Sequence, residues 1–145
     1  MKDIDRRTRV IIENVTPRIS GGEFPVKRVV GEHVTVEADV FADGHDMVSA
    51  VLLSRVKGDE DWTETPMKHT VNDRWRTSFT VTEQRPYEYT VAAWIDRFGT
   101  WRRDLAKRMK AKQDLAVELE IGHALLEETL HAMSPLVADE LEVVI

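Results

Sequence analysis

A chain of 145 residues that is 42% hydrophobic and 32% charged can bury about 70% of its unfolded surface, enough for a real core, which excludes a wholly disordered polypeptide and a staple-dependent miniprotein. It contains no cysteine, so disulfides, thiolate nucleophiles and cysteine-based zinc sites are excluded, and a reducing cytoplasm is the expected compartment. A net charge of −6 argues against nucleic acid and anionic membranes as partners and favours neutral or protein ones.

The opening MKDIDRRTRVIIENV lacks the apolar core of a secretory signal, and no later run reaches the ~18 apolar residues of a membrane span. From Arg9 to Phe98 apolar residues recur mainly at every second position, the period of strands with one buried face. Arg9 to Thr16 reads as a first strand, closed by Pro17, Gly21-Gly22 and Pro25. Val34, Val36, Ala38 and Val40 then alternate with polar residues in a clear second strand, followed by Asp43-Gly44. Val48 to Val56 and Glu64 to Lys68 are weaker strands around the turn Lys57-Gly58-Asp59. Trp75, Thr77, Phe79 and Val81 mark the other clear strand, after Asn72-Asp73, and Tyr87 to Ile95 is a last one behind Arg85-Pro86. Short, β-branched strands without helical crossovers predict an antiparallel sandwich rather than a parallel sheet.

From about Thr100 the period becomes helical, with Trp101, Leu105 and Met109 four apart, then Leu115, Leu119, Leu126, Leu130 and Met133 on one stripe. Asp114 is placed to cap the second helix, and Lys107, Arg108, Lys110 and Lys112 gather at the negative end of the first. Gly122 predicts a break or bend. Ser134-Pro135 predicts a loop, and the apolar LEVVI that follows predicts a polypeptide continuing past Ile145.

Asp43, Gly44, His45 and Asp46 place two carboxylates and an imidazole around one glycine. Side chains crowded at a strand end point apart rather than converge on a metal, so the expected role is a turn, with glycine supplying a positive φ. His33, His69, His123 and His131 form no metal-binding spacing, and no nucleotide or nucleophile motif is present. The tryptophans are more informative, since a half-exposed indole is a platform on which a sugar ring stacks. Trp75 reads as core. Trp62, in the charged stretch GDEDWTE, is the best candidate for exposure. Trp94 and Trp101 flank the change from strand to helix, where packing is the plainest role. Trp62 and Trp94 are the candidate glucan contacts.

Several motifs together carry a resemblance: Gly22, Phe24-Pro25-Val26-Lys27, Gly31-Glu32, Asp39-Val40-Phe41, Asp43-Gly44-His45-Asp46, NDRW at 72–75 and Ala93-Trp94-Ile95-Asp96. In this combination the chain resembles the N-terminal region of the α-1,4-glucan:maltose-1-phosphate maltosyltransferases, relatives of the α-amylases. Arg85-Pro86, where a glycine is expected, and the tail from about Ala132 depart from the pattern. The resemblance implies a mainly β protein, an immunoglobulin-like sandwich over residues 1–99, a dimerisation-type helical segment over 100–133 and a tail over 134–145 cut short before a catalytic barrel. It implies an enzyme that moves a maltosyl unit from maltose 1-phosphate to α-1,4-glucan in glycogen synthesis, with its catalytic carboxylates on the barrel. This chain is then expected to carry no catalytic, cofactor or metal residue and to be inactive alone. Its expected partners are the barrel and a second copy bound through Leu115, Leu119, Leu126 and Leu130, with α-1,4-glucan as a further ligand. The alternative is a glucan-binding module of an α-amylase-family glycosidase.

Overall fold

The computed structural model describes the backbone of residues 10–142 and the side-chain surroundings of residues 10–132. The chain divides into two compact units, Met1–Asp96 and Arg97–Ile145. Among its described residues the first contains seven strands: β1 (Val10–Thr16), β2 (His33–Ala42), β3 (Val48–Val56), β4 (Thr63–Pro66), β5 (Lys68–His69), β6 (Arg74–Thr80) and β7 (Tyr87–Ile95). The second contains α1 (Arg97–Lys110) and α2 (Ala116–Glu142).

The strands form two antiparallel sheets, a larger one in the order β1-β2-β6-β5 and a smaller one in the order β4-β3-β7. The expected sandwich is therefore present. Alternation in β2 and β3 produces its core: Val34, Val36, Ala38 and Val40 meet Ala50 and Leu52, with Met67 and Val81 closing the cluster. Leu52 and Val36 are 0% exposed, so each contributes about 1.5–3 kcal/mol through burial.

The strand expected over 64–68 is two strands in different sheets. β4 pairs with β3, β5 pairs with β6, and the chain crosses at the buried Met67. A run of five residues cannot reveal such a switch, because the side-chain alternation continues through it. Tyr87, at the start of β7, accepts hydrogen bonds from the backbone N–H groups of Thr82 at 3.0 Å and Glu83 at 3.1 Å, the corner that ties a strand start to its preceding turn in immunoglobulin-type sandwiches.

In the helical unit, Trp101 Nε1 donates to the Glu118 carbonyl at 2.6 Å and Arg108 Nε pairs with the Glu118 carboxylate at 2.6 Å. The Asp114 carboxylate accepts the Ala116 N–H at 3.0 Å. Gly122 does not break the helix. A Cβ there would sit 2.3 Å from Trp101 Cζ2, so glycine is the residue that lets the indole lie against α2. Among the described side chains of α2, Glu118, Gly122 and Leu125 are the less exposed, and Leu115 stands just before the helix. Of the expected stripe, Leu119, Leu126 and Leu130 are 57%, 51% and 67% exposed, and the side chain of Met133 lies outside the described residues.

The loop expected at Ser134-Pro135 is instead part of α2, which runs to Glu142. An interior proline removes one backbone hydrogen bond and crowds the turn before it, yet the helical backbone continues through Pro135. Among the described residues no helix is long and apolar enough to cross a membrane.

Candidate functional site

The outward positions of the smaller sheet follow from its register. Ala50, Leu52 and Val56 of β3 point into the core, so Ser49, Val51, Leu53 and Arg55 point out. Their partners are Trp94, Ala92, Thr90 and Glu88 on β7, with Pro66 and Glu64 opposite Val51 and Leu53 on β4. This outer face is apolar along its middle and carries one tryptophan near each end. Trp94 is 47% exposed and Trp62, just before β4, is 39% exposed.

Trp62 is held in place. The Arg55 guanidinium lies 4.1 Å from its ring centroid, and Arg55 is fixed by the Glu88 carboxylate, which accepts from Nη2 at 3.0 Å and Nε at 3.1 Å. Arg55 Nη1 also donates to the Asp59 carbonyl at 3.0 Å. One face of the indole is thus occupied by a cation, and the exposed remainder is the part open to a ligand. At the other end Ser49 Oγ donates to Asp96 Oδ2 at 2.9 Å.

The outer face of the larger sheet is charged. Arg74 donates to Asp39 Oδ1 at 3.1 Å, Glu37 Oε2 at 3.2 Å, Thr16 Oγ1 at 3.1 Å and the Asn14 carbonyl at 3.0 Å. The Asn14 amide donates to Asp39 Oδ2 at 2.7 Å. That amide, and then the Arg74 guanidinium, hold the Asp39 carboxyl below its ordinary value. On the inward side of β7, burial pushes the Tyr89 phenol up, against the pull of Arg18 and Arg28, and its hydroxyl donates to the Pro17 carbonyl.

Asp43, Gly44, His45 and Asp46 lie in the connection from β2 to β3, all exposed, with Gly44 at φ 98°. They are remote in register from Arg55 and Trp62, at the opposite end of β3. Among the described residues no three acidic or histidine side chains converge to hold a metal ion. His33 shares a hydrogen bond with Thr80 Oγ1 at 2.9 Å, and His69 stacks edge-on to Trp75 at 5.4 Å. Neither faces a carboxylate in a catalytic arrangement.

Sequence reasoning singled out Trp62 and Trp94 but not the aliphatic ground between them, nor Arg55 and Glu88. The available signal was the run Ala50-Val51-Leu52-Leu53, where both parities are apolar. A second region was missed altogether. An open cleft runs along β7 beneath the segment 17–30, lined by Phe24, Val26, Phe79, Tyr87, Tyr89 and Val91 among others.

Residues 8–144 match the protein family described as alpha-1,4-glucan:maltose-1-phosphate maltosyltransferase, domain N/S. The match continues past Ala132, where the resemblance in the quoted motifs gives out. Among individual proteins, the chain is similar to the alpha-1,4-glucan:maltose-1-phosphate maltosyltransferase of Chlorobaculum tepidum, 49% identical over 126 residues, covering 87% of this chain and 19% of that protein. It is similar to that of Cereibacter sphaeroides, 47% identical over 119 residues, covering 82% and 20%. For that of Myxococcus xanthus the identity is 45% over 127 residues, covering 85% and 19%. The chain spans about a fifth of the length of these relatives.

Proposed function

This chain belongs to the maltosyltransferase domain N/S family, and from that premise we propose that it is the non-catalytic accessory region of an enzyme moving maltosyl units from maltose 1-phosphate to α-1,4-glucan in the cytoplasm. In this reading it scaffolds a catalytic barrel carried by the same polypeptide and pairs with a second copy through α2. The observation that carries the accessory role is the share of the relatives it spans, about a fifth. Pairing rests on Leu119, Leu126 and Leu130, each more than half exposed on one helix, since exposed apolar stripes mark protein contacts.

Incubated with maltose 1-phosphate and a maltooligosaccharide, the pure chain is expected to release no phosphate, and steady turnover overturns the accessory reading. Light scattering well above micromolar concentration is expected to give a dimer mass that Leu126→Glu converts to a monomer. A wild-type chain that stays monomeric overturns the pairing.

A second reading, glucan binding, is favoured by one observation: Trp62 and Trp94 are exposed on the same outer face. Titration with maltoheptaose should then shift the indole N–H signals of both tryptophans and leave that of Trp101 in place. Unmoved indole signals remove this reading.

A further inference from the structure

Sheet edges present unpaired N–H and C=O groups, and native proteins blunt them with short strands, proline, bulges or a covering segment. Among the described residues, three of the four sheet edges are blunted. β5 has two residues, β4 has four and ends in Pro66, and β1 slips register between Glu13 and Thr16 with Asn14 at φ 50°. β7 is different: its nine residues, YEYTVAAWI, contain no proline, glycine or lysine, and its pairing with β3 is regular from Tyr87 to Ile95.

The direction of its free groups can be assigned. Lys57 N–H bonds to the Pro86 carbonyl and Asp96 N–H to the Met47 carbonyl, and hydrogen-bonded pairs alternate along an antiparallel ladder. Glu88, Thr90, Ala92 and Trp94 therefore turn their backbone groups toward β3. Those of Tyr89, Val91 and Ala93 point to the open side, where no described backbone group pairs with them. The cleft beneath segment 17–30 borders this same stretch, including Tyr89, Thr90 and Val91.

We propose that the edge of β7 receives an extended strand from the larger maltosyltransferase polypeptide, lying outside these 145 residues, as the fourth strand of the smaller sheet. This rests on the accessory-region reading. The occupant's chemistry follows from the register. Its inward side chains, beside Tyr89, Val91 and Ala93, are apolar, and those beside Thr90, Ala92 and Trp94 form the outer face, so the segment alternates along roughly five to nine residues. A second copy of β7 fits less well, because it arrives with its own sheet and its own segment 17–30, whereas the cleft borders a single strand. Residues 1–9, MKDIDRRTR, lack the apolar alternation.

The test is residue-resolved hydrogen exchange on two proteins: this chain, and a chimera in which it replaces the matching region of the Chlorobaculum tepidum enzyme. In the isolated chain the Tyr89, Val91 and Ala93 amides should exchange fast while Thr90 and Ala92 are protected. In the chimera all five should be protected, with the first three slowed at least about a hundredfold. A chimera that transfers maltosyl units but leaves these three amides fast overturns the strand proposal and leaves the accessory role standing. A folded chimera with fast amides and no transfer overturns both, and slowed amides without transfer support the strand and count against the accessory role. Protection already present in the isolated chain, constant or rising with concentration, overturns the proposal in favour of an internal cover or a second copy.

Discussion

The two outer faces of the sandwich obey the same period of two and differ in chemistry, one mostly charged and the other apolar along the middle of β3. Outward positions of the larger sheet carry His33, Thr35, Glu37 and Asp39 on β2 and Arg74, Arg76 and Ser78 on β6, laced by ion pairs of 3.1 to 3.6 Å, with an apolar pair, Ile11 and Phe41, at the β1 end. Outward positions of the smaller sheet carry Val51, Leu53, Pro66, Ala92 and Trp94, none of them part of the core cluster, among the polar Ser49, Arg55, Glu64, Glu88 and Thr90. An antiparallel sheet that faces water on one side alternates apolar-in and polar-out. The larger sheet follows that rule from His33 to Asp39 and departs from it at Ile11 and Phe41, whereas the smaller one departs from it at Val51, Leu53, Ala92 and Trp94. One sandwich thus has a finished surface and a face that calls for a partner.

The sharpest way to break that comparison uses two neighbours on β3. Leu52 is fully buried in the core, so Leu52→Ala should lower unfolding free energy by about 2–5 kcal/mol, read from the denaturation midpoint. Leu53, one residue on, points to the outer face, and Leu53→Ala in the isolated chain should lower it by under about 1 kcal/mol. Equal losses would show that Leu53 is core and that the outer face is already covered.

The charged face should respond less than the core and more than the apolar face. Arg74→Met removes five hydrogen bonds made by a side chain that is 26% exposed, and the expected loss is about 1–2 kcal/mol, since each such bond contributes little net beside water. Its pH dependence has a fixed sign. The folded-state value of Asp39 is lowered, so its contribution is fully present above the ordinary aspartate value of about 3.9 and is lost as pH falls through the lower folded value. The stability gap between wild type and Asp39→Asn should therefore be constant from neutral pH down to about 4 and close below it. A gap that closes nearer neutrality assigns the effect to another group.

Much of this contrast could be read in the sequence, because β2 and β6 alternate cleanly and their outward residues from His33 to Asp39 and from Arg74 to Thr80 are polar. The sandwich and its helical hairpin follow from those periods, and the turn at Gly44 follows from Asp-Gly chemistry. Other features are set by tertiary partners. The crossing at Met67 leaves alternation intact, so 64–68 looks like one strand. Gly122 reads as a helix breaker until Trp101 is seen to occupy the space its side chain would fill. Pro135 reads as a loop although the helix continues through it. The outer tryptophan face was half legible: the indoles drew notice by type, but Arg55 and Glu88 reach Trp62 only once β3, β4 and β7 are side by side.

The smallest expected effect separates the two ends of the apolar face. Trp62 and Trp94 are similarly exposed, so area alone gives them similar weight in the isolated chain. Trp62 has in addition the Arg55 guanidinium over its ring at 4.1 Å, anchored by Glu88, and an exposed contact of that kind contributes about 0.5–1 kcal/mol. Trp62→Ala should thus destabilise the chain slightly more than Trp94→Ala. The excess should disappear in the Arg55→Ala background, where the ring has no cation to lose. A double-mutant cycle on Arg55 and Trp62 isolates the coupling. A coupling of zero would mean that Arg55 is held by Glu88 and Asp59 alone, leaving the whole indole free for whatever covers this face.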